Sequence, residues 1–195
     1  MIHLFYLAAG QSRRYGSNKL LADFGGRALF RYGLDALRRA AGQRDDCTLT
    51  VVTCWDSIAD FCTEAGIRCI PCPESALGVS YTIRAAIRSA GVLRETDWFV
   101  FAVADQPYLT PESIGRLLDA AKENPLTACL ACGEQSGNPV LFSASLAEEL
   151  CALEGDRGGK AVMRAHPERH IDIPCEKQEL WDMDIPDING AVASK

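Results

Sequence analysis

The most informative segment of this sequence is the loop Leu7-Ala8-Ala9-Gly10-Gln11-Ser12-Arg13-Arg14-Tyr15-Gly16-Ser17-Asn18-Lys19. It follows the short apolar run His3-Leu4-Phe5-Tyr6-Leu7, which predicts a buried strand. Open α/β sheets bind ligands beyond the carboxyl ends of their strands, where this loop is expected to lie. Its glycines let the backbone approach a ligand closely, while Arg14 and Lys19 supply positive charge for a polyphosphate. The stretch therefore predicts a phosphate-holding loop.

Three better-known loops do not fit this stretch. In a Walker A loop the lysine directly follows the second glycine, whereas Lys19 lies three residues after Gly16. Gly10-Gln11-Ser12 lacks the second glycine of the dinucleotide fingerprint. A serine-hydrolase elbow needs glycine where Arg14 stands. The residues alone leave one further alternative, a solvated basic loop that joins a strand to a helix.

The spacing Gly10-x-Ser12-x-Arg14-x-Gly16-x-x-Lys19 behind Leu7-Ala8-Ala9 resembles the signature loop of nucleoside triphosphate transferases related to the molybdenum cofactor nucleotidyltransferases. The resemblance covers nearly the whole chain. It implies an α/β fold: a single doubly wound, Rossmann-like, mostly parallel sheet of the nucleotide-diphospho-sugar transferase type, with residues 1–195 forming one domain. In that family the loop wraps the triphosphate, which implies catalytic roles for Arg14 and Lys19. The implied nucleotide-binding residues of the loop are Leu7, Ala8, Ala9, Gly10, Ser12, Arg14, Gly16 and Lys19.

Alternating patterns in the rest of the chain also predict a doubly wound α/β domain. Apolar residues at helical spacing predict helices over 29–41, 56–65 and 78–90. Thr110 is expected to cap a further helix, with Pro111 at its first position. Apolar runs predict strands over 49–53, 67–70, 97–103 and 140–142.

The most apolar predicted strand ends in Ala104-Asp105-Gln106-Pro107, which places a carboxylate at the edge of the sheet. Mg²⁺ is usually held by one or two carboxylates together with substrate phosphates. Taken alone, Asp105 has the alternative role of shaping the turn before Pro107. The segment resembles the family's metal-binding motif in the Gln-Pro form of its molybdopterin cytidylyltransferase branch, which implies that Asp105 is a catalytic Mg²⁺ ligand.

A second acidic group lies in Trp181-Asp182-Met183-Asp184-Ile185-Pro186-Asp187. Alternation in a strand places Asp182 and Asp184 on one face. The segment is similar to the family's terminal Asp-x-Asp-Thr-Pro-Glu-Asp, which implies that Asp184 is the other metal ligand. Ile185 and Asp187 depart from that pattern, and ordinary solvation of an acidic chain end is the alternative.

Three further segments complete the resemblance. Gly78-Val79-Ser80 is similar to the family's base-recognising turn, which implies that Gly78 and Ser80 bind the nucleotide; a plain helix cap is the alternative. Gly137-Asn138-Pro139 is similar to its acceptor-site loop. Gly155-Asp156-Arg157-Gly158-Gly159-Lys160 resembles the family's Gly-Asp-x-Gly-Ala-Arg, so Asp156 and Lys160 are also expected at the acceptor. Lys160 stands where the family has arginine, and a lysine cannot form the two parallel hydrogen bonds that arginine makes to a phosphate.

The resemblance implies transfer of CMP from CTP to molybdopterin with release of pyrophosphate. Leu7-Ala8-Ala9-Gly10 is typical of the cytidylyl branch, whereas the guanylyl branch has Leu-Ala-Gly-Gly. The alternatives are GTP as donor, a sugar or alditol phosphate as acceptor, and a non-catalytic molybdenum cofactor chaperone. An expected partner is a molybdenum hydroxylase that receives the product.

The composition agrees with a cytoplasmic enzyme. The chain has 195 residues and 48% hydrophobic content, with neither a continuous apolar span nor a secretion signal, so no membrane association is expected. A net charge of −6 argues against a nucleic-acid partner, since such binding needs a broad basic surface.

The chain has nine cysteines, and four of them form two C-x-x-C pairs, Cys69-Ile-Pro-Cys72 and Cys129-Leu-Ala-Cys132. Zinc binding and redox chemistry are two interpretations. We favour the third, that these are small core residues in or beside strands, and expect no zinc at either pair. His3, His166 and His170 are expected to be structural or surface residues.

Overall fold

A seven-stranded sheet forms the centre of the protein in a computed structural model that describes residues 1–11 and 18–183. The strands are β1 (Ile2–Ala8), β2 (Asp23–Phe24), β3 (Arg27–Ala28), β4 (Cys47–Thr53), β5 (Arg68–Pro71), β6 (Trp98–Val103), β7 (Thr127–Cys132), β8 (Gln135–Ser143) and β9 (His170–Pro174). The α-helices are α1 (Phe30–Ala41), α2 (Asp56–Glu64), α3 (Val79–Ser89), α4 (Pro111–Asp119), α5 (Ala147–Cys151) and α6 (Lys160–Ala165). Short 3₁₀ helices cover Lys19–Leu21, Pro73–Leu77, Ala120–Glu123, Ala144–Leu146, Pro167–Arg169 and Lys177–Leu180.

The order of strands in the large sheet is β5-β4-β1-β6-β8-β7-β9. The β1, β4, β5 and β6 pairings are parallel, and β9 is parallel to β7. Only β8 runs against its neighbours β6 and β7 within the described sheet. This mostly parallel α/β sheet confirms the predicted fold class. Strands β2 and β3 form a separate two-stranded sheet, which the sequence analysis did not predict.

Helices cover both faces of the sheet, which explains why its central strands are apolar along their whole length. One core layer, the first layer, joins Leu4 and Tyr6 of β1 to residues of α1, α2 and α4. The opposite layer, the second layer, joins Phe5 and Leu7 of β1 to residues of α3, α5 and α6. Alternation along β1 therefore sends successive side chains into different layers.

The predicted helices and strands form with boundaries that differ by one or two residues, except that the strand predicted over 140–142 begins five residues earlier, at Gln135. Thr110 caps α4 as predicted, because its Oγ1 accepts a hydrogen bond from Ser113 N at 3.2 Å. One prediction is wrong: residues 181–183 belong to no strand, so strand alternation does not place Asp182. Asp184 lies outside the described residues. None of the helices in the described ranges is long and apolar enough to cross a membrane.

The two C-x-x-C pairs are each divided between the core layers. Cys69 packs against the first layer and Cys72 lies in the second. Cys129 lies in the second layer, whereas Cys132 packs against the first. Because the two thiols of each pair lie on opposite faces of the sheet, they cannot both bind the same metal ion. All nine cysteines are free thiols.

Candidate active site

The first loop begins at the same edge of the sheet as Asp105, because β1 and β6 are parallel neighbours. The end of β4 fixes the beginning of that loop. Thr53 Oγ1 donates to the carbonyl of Ala8 at 2.8 Å, and Trp55 Nε1 donates to the carbonyl of Gly10 at 3.3 Å. Ala9 between them is only 3% exposed. The backbone that enters the predicted phosphate loop is thus held before the loop itself begins.

Lys19 lies where the described chain resumes after the loop. Asn18 Oδ1 accepts a hydrogen bond from Leu20 N at 3.0 Å and caps the 3₁₀ helix that carries Lys19. Lys19 Nζ lies 2.7 Å from Asp105 Oδ2 and donates to the carbonyl of Met183 at 2.8 Å. The Lys19 and Asp105 side chains are 15% and 22% exposed, so the pair is partly shielded from water. Three segments distant in sequence therefore meet at one ammonium group.

A buried tyrosine positions the residue before Asp105. The Tyr6 hydroxyl donates to the carbonyl of Phe30 at 2.6 Å and lies 3.4 Å from the carbonyl of Ala104. Burial, with a smaller contribution from the Asp105 charge, raises the Tyr6 pKa well above 10, so the hydroxyl keeps its proton. A Cβ at Gly33 would lie 2.9 Å from this hydroxyl, and glycine there lets α1 approach β1.

The segment that reaches Lys19 from the C-terminal side is fixed by Glu179, which is 1% exposed. Its carboxylate accepts hydrogen bonds from Thr110 N, Thr110 Oγ1 and Ser113 Oγ at 3.0, 2.7 and 2.8 Å. It also accepts one from Glu176 N at 3.1 Å. Beyond it, Met183 N donates to the carbonyl of Asp105 at 3.0 Å. The N-terminus of α4 thus anchors residues 176–183 beside Asp105.

The predicted acceptor residues border one cleft of about 360 Å³ beside this edge. Gly137, Asn138, Asp156 and Lys160 line it, as do Leu7 and Asp182. Pro139 lies in the same segment of β8. Cys129 pairs with Val140 while Leu130 pairs with Gly137, so Asn138 and Pro139 form a bulge in β8. Bulges re-aim side chains at sheet rims and beside active sites.

The turn predicted to meet the base packs against the segment predicted to meet the acceptor. Gly78 has φ +127°, and a Cβ there would lie 2.2 Å from the Gly155 carbonyl carbon and oxygen, so only glycine fits. Ser80 N donates to the Gly155 carbonyl at 3.1 Å. Ser80 is fully buried, and its Oγ has no hydrogen-bond partner among the described residues. Contact of either residue with a nucleotide stays a prediction.

Sequence reasoning missed two residues that the structure brings to this site. Gln106 is 1% exposed and lines the cleft, and its Oε1 lacks a partner within residues 1–11 and 18–183. Its place in Asp105-Gln106-Pro107 was the available signal. Glu179 had a weaker signal, the spacing Glu176-Lys-Gln-Glu179, which forms a capping box. Four predicted residues, Ser12, Arg14, Gly16 and Asp184, lie outside the described residues.

The oxygen donors at the edge suit a hard divalent cation. Asp105 offers a partly exposed carboxylate already paired with an ammonium group, and Met183 offers a backbone carbonyl within reach of the same ammonium. Asp182 adds a carboxylate at the adjoining cleft. Carboxylate and carbonyl oxygens, with room for substrate phosphates, match the preferences of Mg²⁺.

A mostly parallel α/β sheet with a lysine and an aspartate converging beyond two neighbouring strands is an arrangement that suits a nucleotidyltransferase. The chain belongs to the family of MobA-like NTP transferase domains, which matches residues 4–170. This confirms the family that the first loop indicated.

Known proteins agree with this class. The chain is 25% identical over 169 residues to purine catabolism protein PucB of Bacillus subtilis (strain 168), covering 82% of this chain and 79% of PucB. A nucleotidyl transferase from Methanothermobacter thermautotroptrophicus has a TM-score of 0.75 at 20% identity, covering 95% of this chain and 92% of its own. Molybdopterin-guanine dinucleotide biosynthesis protein A from Archaeoglobus fulgidus has a TM-score of 0.67 at 19% identity, covering 95% and 93%. At these identities the two structures show the fold alone.

Proposed function

We propose that this nucleotidyltransferase transfers CMP from CTP to molybdopterin and releases pyrophosphate. The observation that carries the proposal is the convergence of Lys19, Asp105 and the Met183 carbonyl beyond β1 and β6. A cation and a carboxylate side by side suit a reactant that carries both phosphates and a bound metal ion. The adjoining cleft of about 360 Å³ offers an acceptor site within the same edge of the sheet.

In the proposed reaction, a terminal phosphate oxygen of the acceptor forms a bond to the α-phosphorus of CTP. The bond from that phosphorus to the bridging oxygen of the β-phosphate breaks in line, and pyrophosphate leaves with the electron pair. Lys19 and Arg14 stabilise the charge that develops on the leaving group. The attacking phosphate is already ionised, so no side chain serves as nucleophile or general base, and catalysis consists of positioning and electrostatics.

Mg²⁺ is the proposed metal cofactor, with Asp105 and Asp184 as its protein ligands. When bound, such an ion neutralises reactant phosphates and orients them. Asp105 fits the role through its partly exposed carboxylate. Lys19, which pairs with Asp105 here, is close enough to exchange that contact for one to a phosphate. Asp182, which lines the cleft, is a further carboxylate within reach of the substrates.

For the base we propose selection of cytosine by the backbone around Ala9 together with Gly78 and Ser80. The loop segment before Gly10 is held by Thr53 and Trp55, so Ala9 is presented on a fixed backbone. A fixed methyl group can exclude the larger guanine ring by size. GTP remains the alternative donor that the experiment must test, since one structural neighbour is named for a guanine dinucleotide.

We propose that the acceptor is bound by residues that line the cleft of about 360 Å³. Lys160 offers a cation for the acceptor phosphate, Asn138 an amide on the β8 bulge, and Asp156 an acceptor of hydrogen bonds. The buried side chain of Gln106 also lines the cleft, and its Oε1 has no hydrogen-bond partner among residues 1–11 and 18–183. Polar groups spread over a cleft of this size suit a polycyclic, polar acceptor better than a small sugar phosphate.

The remaining parts of the proposal concern the cell. We propose a cytoplasmic enzyme that acts on small molecules, with neither a nucleic-acid nor a membrane partner, and whose product passes to a molybdenum hydroxylase. The net charge of −6 supports a small-molecule substrate over a polyanion.

Pyrophosphate release tests the proposal. The protein is incubated with Mg²⁺, one nucleoside triphosphate at a time, and molybdopterin. We expect release with CTP only when molybdopterin is present. Molybdopterin binding without any pyrophosphate release would identify a cofactor chaperone instead, and release with a sugar or alditol phosphate in its place would identify another acceptor.

A further inference from the structure

Three metal-ligating side chains meet outside the edge described above, where β7 pairs with β9. The pairing is parallel and sets Cys129 beside Asp172 and Thr127 beside His170. Cys129 Sγ lies 3.6 Å from His170 Nε2 and 3.5 Å from Asp172 Oδ1. His170 Nε2 lies 3.1 Å from Asp172 Oδ1. The sequence did not indicate these partners of His170, which become neighbours because the pleat turns alternate residues of both strands to one face.

Two of these three separations match a tetrahedral zinc centre, and the third, 3.1 Å between His170 Nε2 and Asp172 Oδ1, is slightly shorter. Bond lengths of about 2.3 Å to sulfur and about 2.0–2.1 Å to nitrogen or oxygen, at a tetrahedral angle, place ligand atoms roughly 3.3–3.6 Å apart. The donor set is one sulfur, one nitrogen and one oxygen, all within 4.8 Å of one another. A thiolate and an imidazole favour zinc over Mg²⁺ or Ca²⁺, which prefer oxygen alone.

The imidazole is already oriented for such a role. His170 Nδ1 lies 2.8 Å from Thr127 Oγ1, and Thr127 is fully buried. With Nδ1–H donating to this hydroxyl, Nε2 presents its lone pair to Cys129 and Asp172. Metal-ligating histidines commonly make such a second hydrogen bond, which fixes the tautomer and the ring.

Cys129 binds a metal ion as a thiolate, so its proton is released to solvent when the ion binds.

The cluster opens onto a second cleft, which gives an ion a route from solvent. His170 and Asp172 line this cleft, of about 470 Å³, together with Ser136, Lys160 and Arg164. Ser136 and Lys160 also line the candidate acceptor cleft. Zinc sites with three protein ligands keep a fourth position for water or substrate.

We propose that Cys129, His170 and Asp172 bind one Zn²⁺ ion, with the fourth coordination position open to the cleft lined by Lys160 and Arg164. Cys132 takes no part, because it lies on the other face of β7. The site is separate from the proposed Mg²⁺ ligands and does not rest on the proposed function. We expected no zinc at either C-x-x-C pair. The proposed site differs from that expectation because it uses one cysteine of such a pair, Cys129, without the other.

The test uses the full chain, stripped with a chelator and then titrated with ZnCl₂ in the absence of nucleotide. We expect one tightly bound zinc per chain by elemental analysis after gel filtration. Replacement by Co²⁺ should give a sulfur-to-cobalt charge-transfer band and the visible bands of a tetrahedral ion. Asp172→Asn and His170→Gln should each weaken zinc binding by at least roughly a hundredfold, since even second-shell changes cost ten- to a hundredfold.

Matched variants separate this site from others. Cys132→Ser and His166→Gln alter the same residue types outside the cluster and should leave zinc affinity unchanged, as should Asp105→Asn at the candidate active site. The Asp172 side chain is 62% exposed, so Asp172→Asn is expected to fold even if a change at buried Cys129 is not tolerated. Failure of the wild type to retain zinc, or equal zinc affinity in Asp172→Asn and His170→Gln, would overturn the proposal, as would a cobalt spectrum without thiolate bands.

Discussion

Lys19 Nζ and Asp105 Oδ2 lie 2.7 Å apart although 86 positions separate the two residues in the chain. The pair links the segment after the first loop to the end of β6, and the Met183 carbonyl completes it from the C-terminal side. In a reaction between phosphates, this arrangement gives each residue a partner of opposite sign before substrates bind. In the proposed reaction, a bound metal ion would be held by Asp105 and a triphosphate would be contacted by Lys19.

Asp105→Asn is expected to lower turnover by at least about a hundredfold, comparable to the loss of one strong transition-state stabiliser. The change keeps the shape of the side chain and removes the negative charge that pairs with Lys19 and that the proposed metal ion would need. Steady-state pyrophosphate release measures the effect, and circular dichroism is expected to show a folded protein. Asp60→Asn, an exposed aspartate of α2, serves as the control and should be fully active. Turnover near the wild-type rate in Asp105→Asn would remove Asp105 from the mechanism.

Glu179→Gln is expected to destabilise the protein by about 1–3 kcal/mol, the range for leaving a buried polar group unpaired. The four hydrogen bonds that Glu179 accepts become three or fewer, since an amide replaces one oxygen by a donor. Denaturant unfolding measures the free energy of unfolding, with Glu123→Gln, at an exposed glutamate, as the control.

The same variant should also raise KM for the nucleotide, because Glu179 anchors the segment that brings Met183 to Lys19. A variant with wild-type stability and wild-type KM would show that residues 176–183 are held in place without this carboxylate.

Much of this fold follows from local sequence patterns, and the reasons are physical. Burial on both faces makes β1 and β6 apolar throughout, and Thr110-Pro111 marks the start of α4 because the cap and the fixed proline φ are local effects. The antiparallel β8 and the small β2–β3 sheet were not predicted, because pairing partners are set by the tertiary fold.

Of the residues at the candidate site, those in local motifs could be predicted from the sequence, whereas those brought together by the tertiary fold could not. Lys19 and Asp105 are singled out by motifs, and the structure places their charged atoms 2.7 Å apart, while their catalytic roles stay predictions. The buried partners of Glu179 and the Cys129, His170 and Asp172 cluster depend on which strands and helices become neighbours. A lone His170 in the sequence carries no signal for a thiol 41 residues away.

Ala9→Gly is expected to narrow the preference for CTP over GTP without reversing it, because Gly78 and Ser80 are proposed to contact the base as well. Removing the methyl group makes room for guanine, and each kcal/mol of differential transition-state binding shifts kcat/KM by roughly fivefold. The measurement is kcat/KM for both nucleotides. Ala104→Gly, at an equally buried alanine that directly follows β6, controls for backbone flexibility and should change both values alike. An unchanged ratio in Ala9→Gly would show that Ala9 plays no part in selection.

Pyrophosphate release by the wild-type protein is the most direct test of the proposed transfer of CMP from CTP to molybdopterin. Each nucleoside triphosphate is supplied with Mg²⁺, with and without molybdopterin, and the rate of release is measured alongside the formation of a cytosine dinucleotide product. We expect release with CTP that depends on molybdopterin and greatly exceeds release with GTP. Equal use of GTP and CTP, or no pyrophosphate from any nucleotide in the presence of molybdopterin, would contradict it.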